Sequence, residues 1–239
     1  MANPTAAMLV IGDEILSGRT RDVNLYHLAG RLTDMGVDLR EARVVADDRP
    51  AIVAALRDLS AAAAHVFTSG GIGPTHDDIT ADCVAEAFGV GIDIREDARD
   101  VLIAGYPEGV AALTPARLRM ARIPDGATLI ENPISHAPGF TLRNVHVLAG
   151  VPAIFSAMLE SVLSGIAGGA PLMSESVRID RGESSVAEAL GVIAARFPDV
   201  AIGSYPFQRD GRFGTNIVLR SIDRVQLDAA TNDVRALAV

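Results

Sequence analysis

The chain opens on a continuous apolar run, Ala6–Ile11, that stops at Gly12-Asp13-Glu14. A run with no polar face marks a strand buried on both sides. Leu25, Leu28, Leu32 and Met35 then recur at helical spacing with Gly36 at the stop, which predicts a helix over Asp22–Met35. A second strand covers Leu39–Ala46. Asp47 and Asp48 follow it, and Pro50 opens the next helix in the first turn, where a missing N–H is tolerated. Ile52, Val53, Leu56 and Leu59 form that helix's apolar face. A strand over 65–68, a glycine-rich loop and a helix over Thr80–Phe88, ended by Gly89, complete a β-α-β-α-β-loop-α order. Apolar strands alternating with amphipathic helices predict an α/β domain whose mainly parallel sheet is covered on both faces.

Further helices are expected over Glu96–Ala104, over Pro115–Arg122 with Thr114 as N-cap, and over Pro152–Leu163. Phe140–Leu142 and Val145–Leu148 flank Arg143-Asn144 as a hairpin. Gly165–Pro171 is rich in small residues and reads as a linker. Beyond it come a strand (Glu175–Ile179), a helix (Ser184–Phe197), two strands (Val200–Ser204, Asn216–Ser221) and a helix (Leu227–Leu237), enough for a small α+β module.

At 239 residues, 49% of them hydrophobic, the chain supports one substantial core with a smaller appended domain. A net charge of -9 argues against a nucleic-acid partner, whose phosphates are held by Lys and Arg. There is no Trp for base stacking. The single cysteine, Cys83, excludes an internal disulfide and fits a reducing compartment; it reads as a small apolar residue on a buried helical face. Neither a signal pattern nor an 18-residue uncharged apolar run is present, so a cytoplasmic protein without a membrane partner is expected.

Chemistry concentrates in residues 68–80, Thr-Ser-Gly-Gly-Ile-Gly-Pro-Thr-His-Asp-Asp-Ile-Thr, between a strand and a helix. Gly70, Gly71 and Gly73 let backbone N–H groups turn toward an anion. Ligands of parallel sheets bind beyond the carboxyl ends of the strands. The first end carries Gly12, Asp13 and Glu14, the second Asp47 and Asp48, the third Ser69 and the glycine loop with Asp77 and Asp78. With strands about 4.8 Å apart, these carboxylates can gather at one pocket. Asp47 and Asp78 are the candidate metal-positioning carboxylates, for a hard divalent cation shared with a substrate phosphate. Thr75 and Thr80 hydroxyls either contact phosphate or cap the helix that starts at Thr80, whose positive end is expected to face the ligand. Asp77 is open to capping or metal binding alike, Asp48 reads as a cap, Glu14 as a pocket or a solvated residue, and His76 as a loop residue lining the pocket. No nucleophile elbow, Walker loop or His-Glu-x-x-His pattern is present.

Gly12-Asp13-Glu14-Ile15-Leu16-Ser17-Gly18, Asp22-Val23-Asn24 and the 68–80 string resemble the molybdopterin-binding domain of the MoaB/Mog type. The resemblance is closer to the branch found at the N-terminus of CinA, and extends to the corresponding part of eukaryotic FAD synthase. It continues through Ala121–Ala127, Glu131-Asn132-Pro133, Ala137–Phe140, Leu148–Pro152 and Ile202–Pro206, nearly the whole chain. It implies a three-layer domain over 1–168 and a module like the KH-type domain of CinA over 172–239. It places catalytic or metal-linked roles on Asp47 and Asp78 and the phosphate loop on Gly70, Gly71 and Gly73. The loops with Asn132, Pro133, Gly150 and Pro152 are expected to line the far side of the pocket. Members of this class bind molybdopterin or its adenylylated form. The CinA-like and FAD-synthase-like branch is associated with metal-dependent hydrolysis of ADP-ribose or FAD at the pyrophosphate, with Mg²⁺, Mn²⁺ or Co²⁺. A homo-oligomer is expected by the same resemblance.

The expectation is therefore a pyrophosphatase releasing AMP from an ADP-linked metabolite. The alternatives are a pterin-binding protein of molybdenum cofactor assembly and a catalytically silent scaffold. The sequence ends before the amidohydrolase domain of full CinA proteins, so no deamidase activity is expected. Ser135 and its neighbours stand where the family pattern has glycine, Ala149 where it has proline, and the C-terminal module lacks the Gly-x-x-Gly loop of RNA-binding KH domains.

Overall fold

A computed structural model describes residues 3–209 and 211–238, and the chain divides into two compact units, Met1–Gly169 and Ala170–Val239. The first unit runs β1 (Thr5–Ile11), α1 (Asp13–Leu16), α2 (Asn24–Asp34), β2 (Asp38–Val45), α3 (Arg49–Ala62), β3 (His65–Ser69) and α4 (Thr80–Phe88). It continues with β4 (Ile92–Ile94), α5 (Glu96–Ala104), α6 (Pro115–Leu118), β5 (Arg122–Pro124), β6 (Thr128–Ile130), β7 (Gly139–Leu142), β8 (Val145–Leu148) and α7 (Pro152–Leu163).

Six strands form one sheet in the order β2-β1-β3-β8-β7-β6. The first four are mutually parallel, and β7 runs against its neighbours β8 and β6. Strand β1 shows why its sequence is apolar throughout. Ala7, Leu9 and Ile11 enter one core with α3, α4 and α5, while Ala6, Met8 and Val10 enter a second core with α2 and α7. Successive strand residues face opposite sides, so both cores draw on every other residue and the unit is a three-layer α/β/α domain. Cys83 is fully buried on α4, and burial pushes its thiol up to about 11, leaving it an inert packing group.

The helix caps follow side-chain chemistry. Asp48 accepts the Ala51 N–H at 3.0 Å and Thr114 the Arg117 N–H at 3.3 Å, as the sequence indicates. In the first unit two helix boundaries differ. Asp22 stays outside α2 and accepts the Leu25 N–H at 2.9 Å. The helix expected over Pro115–Arg122 ends at Leu118, passes through a 3₁₀ turn at Arg119–Ala121, and gives way to β5. Pro124 disfavours helical geometry at Ile123 before it, and β5 instead pairs antiparallel with β4.

The second unit is β9 (Met173–Ile179), α8 (Ala187–Arg196), β10 (Ala201–Arg209), β11 (Arg212–Ser221) and α9 (Arg224–Ala236), the β-α-β-β-α order read from the sequence. Its antiparallel sheet has the order β10-β11-β9. Val177, Ile179, Ile217 and Leu219 alternate inward against Leu190, Ile193, Leu227 and Val234 of the two helices. The β10–β11 hairpin runs past the expected Val200–Ser204 to Arg209, and β10, an edge strand, tolerates Pro206. No helix among the described residues is long and apolar enough to cross a membrane.

Candidate functional site

A cavity of about 570 Å³ lies at the carboxyl ends of the parallel strands. Ile11 and Gly12 reach it from β1, Asp47 from β2, Gly70–Pro74 from β3, and Ala149–Pro152 from β8. Asn132, Ser135 and Ala137 close the far side. Residues more than 130 positions apart meet there because β1, β3 and β8 are neighbours in the sheet.

The glycine loop is shaped by close approach. Gly70 has φ +105, and a Cβ on it would lie 2.2 Å from the Ile11 carbonyl oxygen. Gly71 has φ +70, and a Cβ there would lie 2.2 Å from Thr80 Oγ1. Only glycine meets both demands without strain. The Thr80 hydroxyl donates to the Gly70 carbonyl at 3.0 Å, and the Thr80 N–H donates to the Gly71 carbonyl at 3.0 Å. With the carbonyls turned inward and held, the N–H groups of Gly71, Ile72 and Gly73 have no hydrogen-bond partner among the described residues, and all three residues line the cavity. Three free consecutive amides make an anion nest.

Acidic groups stand around it. Asp47 Oδ2 accepts the Asp13 N–H at 3.0 Å. Burial holds the Asp47 carboxyl above the usual carboxylate range; the Asp13 N–H opposes this, and the neighbouring Asp13, Glu14 and Asp77 carboxylates reinforce it. Asp78 Oδ2 accepts both the N–H of Thr75, at 2.8 Å, and its hydroxyl, at 2.5 Å. Each of the two aspartates thus spends one oxygen on being positioned, and the other oxygen has no partner among the described residues.

Residues 7–168 match the family described as "Probable molybdopterin binding domain". The chain belongs to that family. Residues 171–238 match a second family, "FAD synthase, middle domain". A "Probable FAD synthase" of Caenorhabditis elegans is 33% identical over 98% of this chain and 50% of its own length. A "CinA-like protein" of Myxococcus xanthus is 38% identical over 64% of this chain and 37% of its own. The chain therefore spans half the length of the first relative and less of the second. The crystal structure of the protein CinA from Thermoplasma acidophilum is 36% identical, covers 67% of this chain and 98% of its own, and superposes with a TM-score of 0.62.

On this molybdopterin-binding-type domain Gly12, Asp47, Gly70, Gly71, Gly73, Asp78, Asn132, Gly150 and Pro152 line the cavity as expected from the sequence. Six residues expected at the pocket lie outside this cavity. Asp13 positions Asp47 through its backbone. Thr75 is spent on Asp78, and Thr80 is buried and spent on Gly70. Ser69 is buried in an adjoining recess, and Pro133 is exposed outside the cavity. His76 is 98% exposed and does not line this cavity. Asn132 lines the wall with its amide already used: Nδ2 donates to Ser135 Oγ and the Ala137 carbonyl, and Oδ1 accepts from the Ile134 and Ser135 N–H groups. It shapes the loop, and the loop's open hydrogen-bonding group is the Ser135 hydroxyl. The helix end that meets the cavity is also not the expected one. Val151, Pro152 and Ile154 at the start of α7 line it, whereas Thr80, Ala81 and Asp82 of α4 do not. The N-terminal end of a 12-residue helix, the end that leaves N–H groups unpaired, therefore borders the space beside the nest.

Among the described residues no three His, Cys, Asp or Glu side chains gather as a metal-holding group. The donor set still fits a hard cation. Mg²⁺ takes one or two carboxylates and completes its shell with water and phosphate, and Asp47 and Asp78 each offer one uncommitted oxygen to the cavity.

Proposed function

We propose that the protein is a divalent-cation-dependent pyrophosphatase acting on an ADP-linked metabolite, ADP-ribose or FAD, and releasing AMP. The observation that carries this reading is the juxtaposition of the Gly71–Gly73 amides with Asp47 and Asp78 in one cavity. Amides alone suit a bound anion; carboxylates alone would repel it. The pair makes sense when a cation stands between protein carboxylates and substrate phosphate. The nest and the α7 terminus would hold phosphate oxygens, and Asp47 and Asp78 would hold the cation, Mg²⁺, Mn²⁺ or Co²⁺. A cation bound there would supply neutralisation of phosphate charge and activation of water. Water adds to phosphorus, the P–O–P bond breaks, and the two halves leave as phosphate monoesters. The similarity of both units to FAD synthase and of the first to CinA-like proteins supports a nucleotide ligand.

The test is incubation of purified protein with ADP-ribose or FAD and each of the three cations, with AMP followed by chromatography. AMP formation that depends on the cation is expected. Binding without AMP under all three cations would sink the hydrolytic reading. The family match over residues 7–168 favours one second reading, a pterin-binding protein without turnover. A fluorescent pterin carried through purification would support it.

A further inference from the structure

Beside the main cavity opens a recess of about 60 Å³ that nothing in the hydrolytic reading uses. The two spaces share Ile11, Glu14, Thr20, Gly150 and Pro152 as walls. The recess ends on Asn24 and Ser69, two polar side chains only 4% and 3% exposed. Asn24 Nδ2 donates to Ser69 Oγ at 2.8 Å and to the Gly150 carbonyl at 2.8 Å. A carbonyl can only accept, so the amide orientation is fixed: both donors are spent, and Oδ1 is the group left over. Ser69 Oγ, in turn, accepts from Asn24 and keeps its O–H. Neither Asn24 Oδ1 nor the Ser69 O–H has a partner among the described residues. An open acceptor and an open donor, carried by two nearly buried side chains, therefore meet in one recess, where a ligand or water can reach them.

We propose that this recess is a subsite for a pair of neighbouring ribosyl hydroxyls of the ligand whose pyrophosphate occupies the main cavity. The inference rests on the nucleotide reading of that cavity. One hydroxyl donates to Asn24 Oδ1 and the other accepts from Ser69, which a vicinal diol does without strain. The volume matches about two water molecules, too little for a ring system and enough for two hydroxyl groups. A phosphate is disfavoured, because Glu14 and Asp22 line the recess against the single guanidinium of Arg21.

The test is equilibrium binding by isothermal titration with Mg²⁺ present, using ADP-ribose, ADP and 2′,3′-dideoxy-ADP. Wild type is expected to prefer a ligand over its counterpart without the hydroxyl pair: ADP-ribose over ADP if the distal ribose enters, ADP over dideoxy-ADP if the adenosine ribose does. Ser69→Ala should erase that preference, a loss of roughly fivefold for the ribosyl ligand, with the counterpart bound as before and so reporting an intact fold. Ser69→Thr keeps the hydroxyl for Asn24 but puts a methyl into the recess, and should weaken the same ligand. Absence of any preference in wild type, or its survival in both variants, overturns the subsite. Binding with the expected preference but no AMP release refutes hydrolysis and leaves the subsite standing; wild type that binds none of the three overturns both.

Discussion

Burial and the nearby Asp13, Glu14 and Asp77 carboxylates raise the Asp47 proton affinity, while the Asp13 N–H keeps the side chain aimed into the cavity. A carboxylate held in this way destabilises the fold at neutral pH and is relieved by a cation. Asp47→Asn keeps an oxygen for the Asp13 N–H and removes the charge. AMP release should fall at least about a hundredfold, the scale of losing a group that stabilises charge in the transition state. The melting temperature should rise by about 1–2 °C, a few tenths of a kcal/mol after solvent screening. A variant that is both inactive and less stable would contradict this account. The same residue sets an acid limit. Because its pKa is raised, a proton would compete with the proposed cation at a higher pH than for an ordinary carboxylate, so on the proposed function AMP release is expected to decline as pH falls through that raised value. Rate profiles at two Mg²⁺ concentrations check this: more Mg²⁺ should shift the acid limb to lower pH.

At the scale of elements, the strand–loop–helix unit of β3, the glycine loop and α4 is where backbone geometry becomes a binding surface. Gly71 and Gly89 bracket the helix, both at left-handed φ (+70 and +67), but only Gly71 is hemmed in, by Thr80 Oγ1, while a Cβ on Gly89 meets nothing within 4 Å. Gly89→Ala should cost about 1 kcal/mol of backbone strain and leave AMP release unchanged. Gly71→Ala adds the collision with a fully buried hydroxyl and should cost about 2–4 kcal/mol, with loss of nucleotide binding; urea unfolding and titration of ADP separate the two. Equal costs would mean that the Thr80 contact does not constrain the loop. This unit was legible in the chain because its glycines answer a local demand. Strand β1 was legible because burial on both faces leaves no polar position. The three-residue strands β4, β5 and β6 were not, since no period can show in so few residues and their pairing is tertiary. The sequence leaves Thr80 open between a phosphate contact and a helix cap because the acceptor it actually uses, the Gly70 carbonyl, is brought close only by the turn. The sequence points to α4 and not α7 as the helix end facing the ligand, and gives Asn24 no role, because the contacts of both depend on β8 lying beside β3, which no local pattern encodes.

For the molecule as a whole, the opposite end of the same sheet sets the response to acid. His146 on β8 is buried, its Nδ1 3.0 Å from Thr141 Oγ1 and its Nε2 3.2 Å from His65 Nδ1 on β3. Phe67 lies on its other flank, with ring centroids 5.0 Å apart. Burial, and then the proximity of His65, lowers the His146 pKa to about 4, and burial lowers that of His65 too. The sign follows from linkage. Both imidazoles are neutral in the fold, whereas an unfolded chain protonates them near the ordinary value of about 6.5. Their contribution is complete above that value and is lost as pH falls from about 6.5 to about 4. For His146 the slope approaches about 1.4 kcal/mol per pH unit, about 3 kcal/mol in all. Asp47 acts in the opposite sense, since gaining a proton favours the fold, and offsets part of the loss. Structural carboxylates titrate mostly below pH 5, so the window from 6.5 to 5 isolates the histidines. Urea unfolding across that window should show stability falling with acid in wild type and a much flatter profile in His146→Gln, whose amide stays neutral and can still bond Thr141 and His65. An identical slope in both proteins would remove the buried pair as the source of acid sensitivity and assign it to charge elsewhere on the chain.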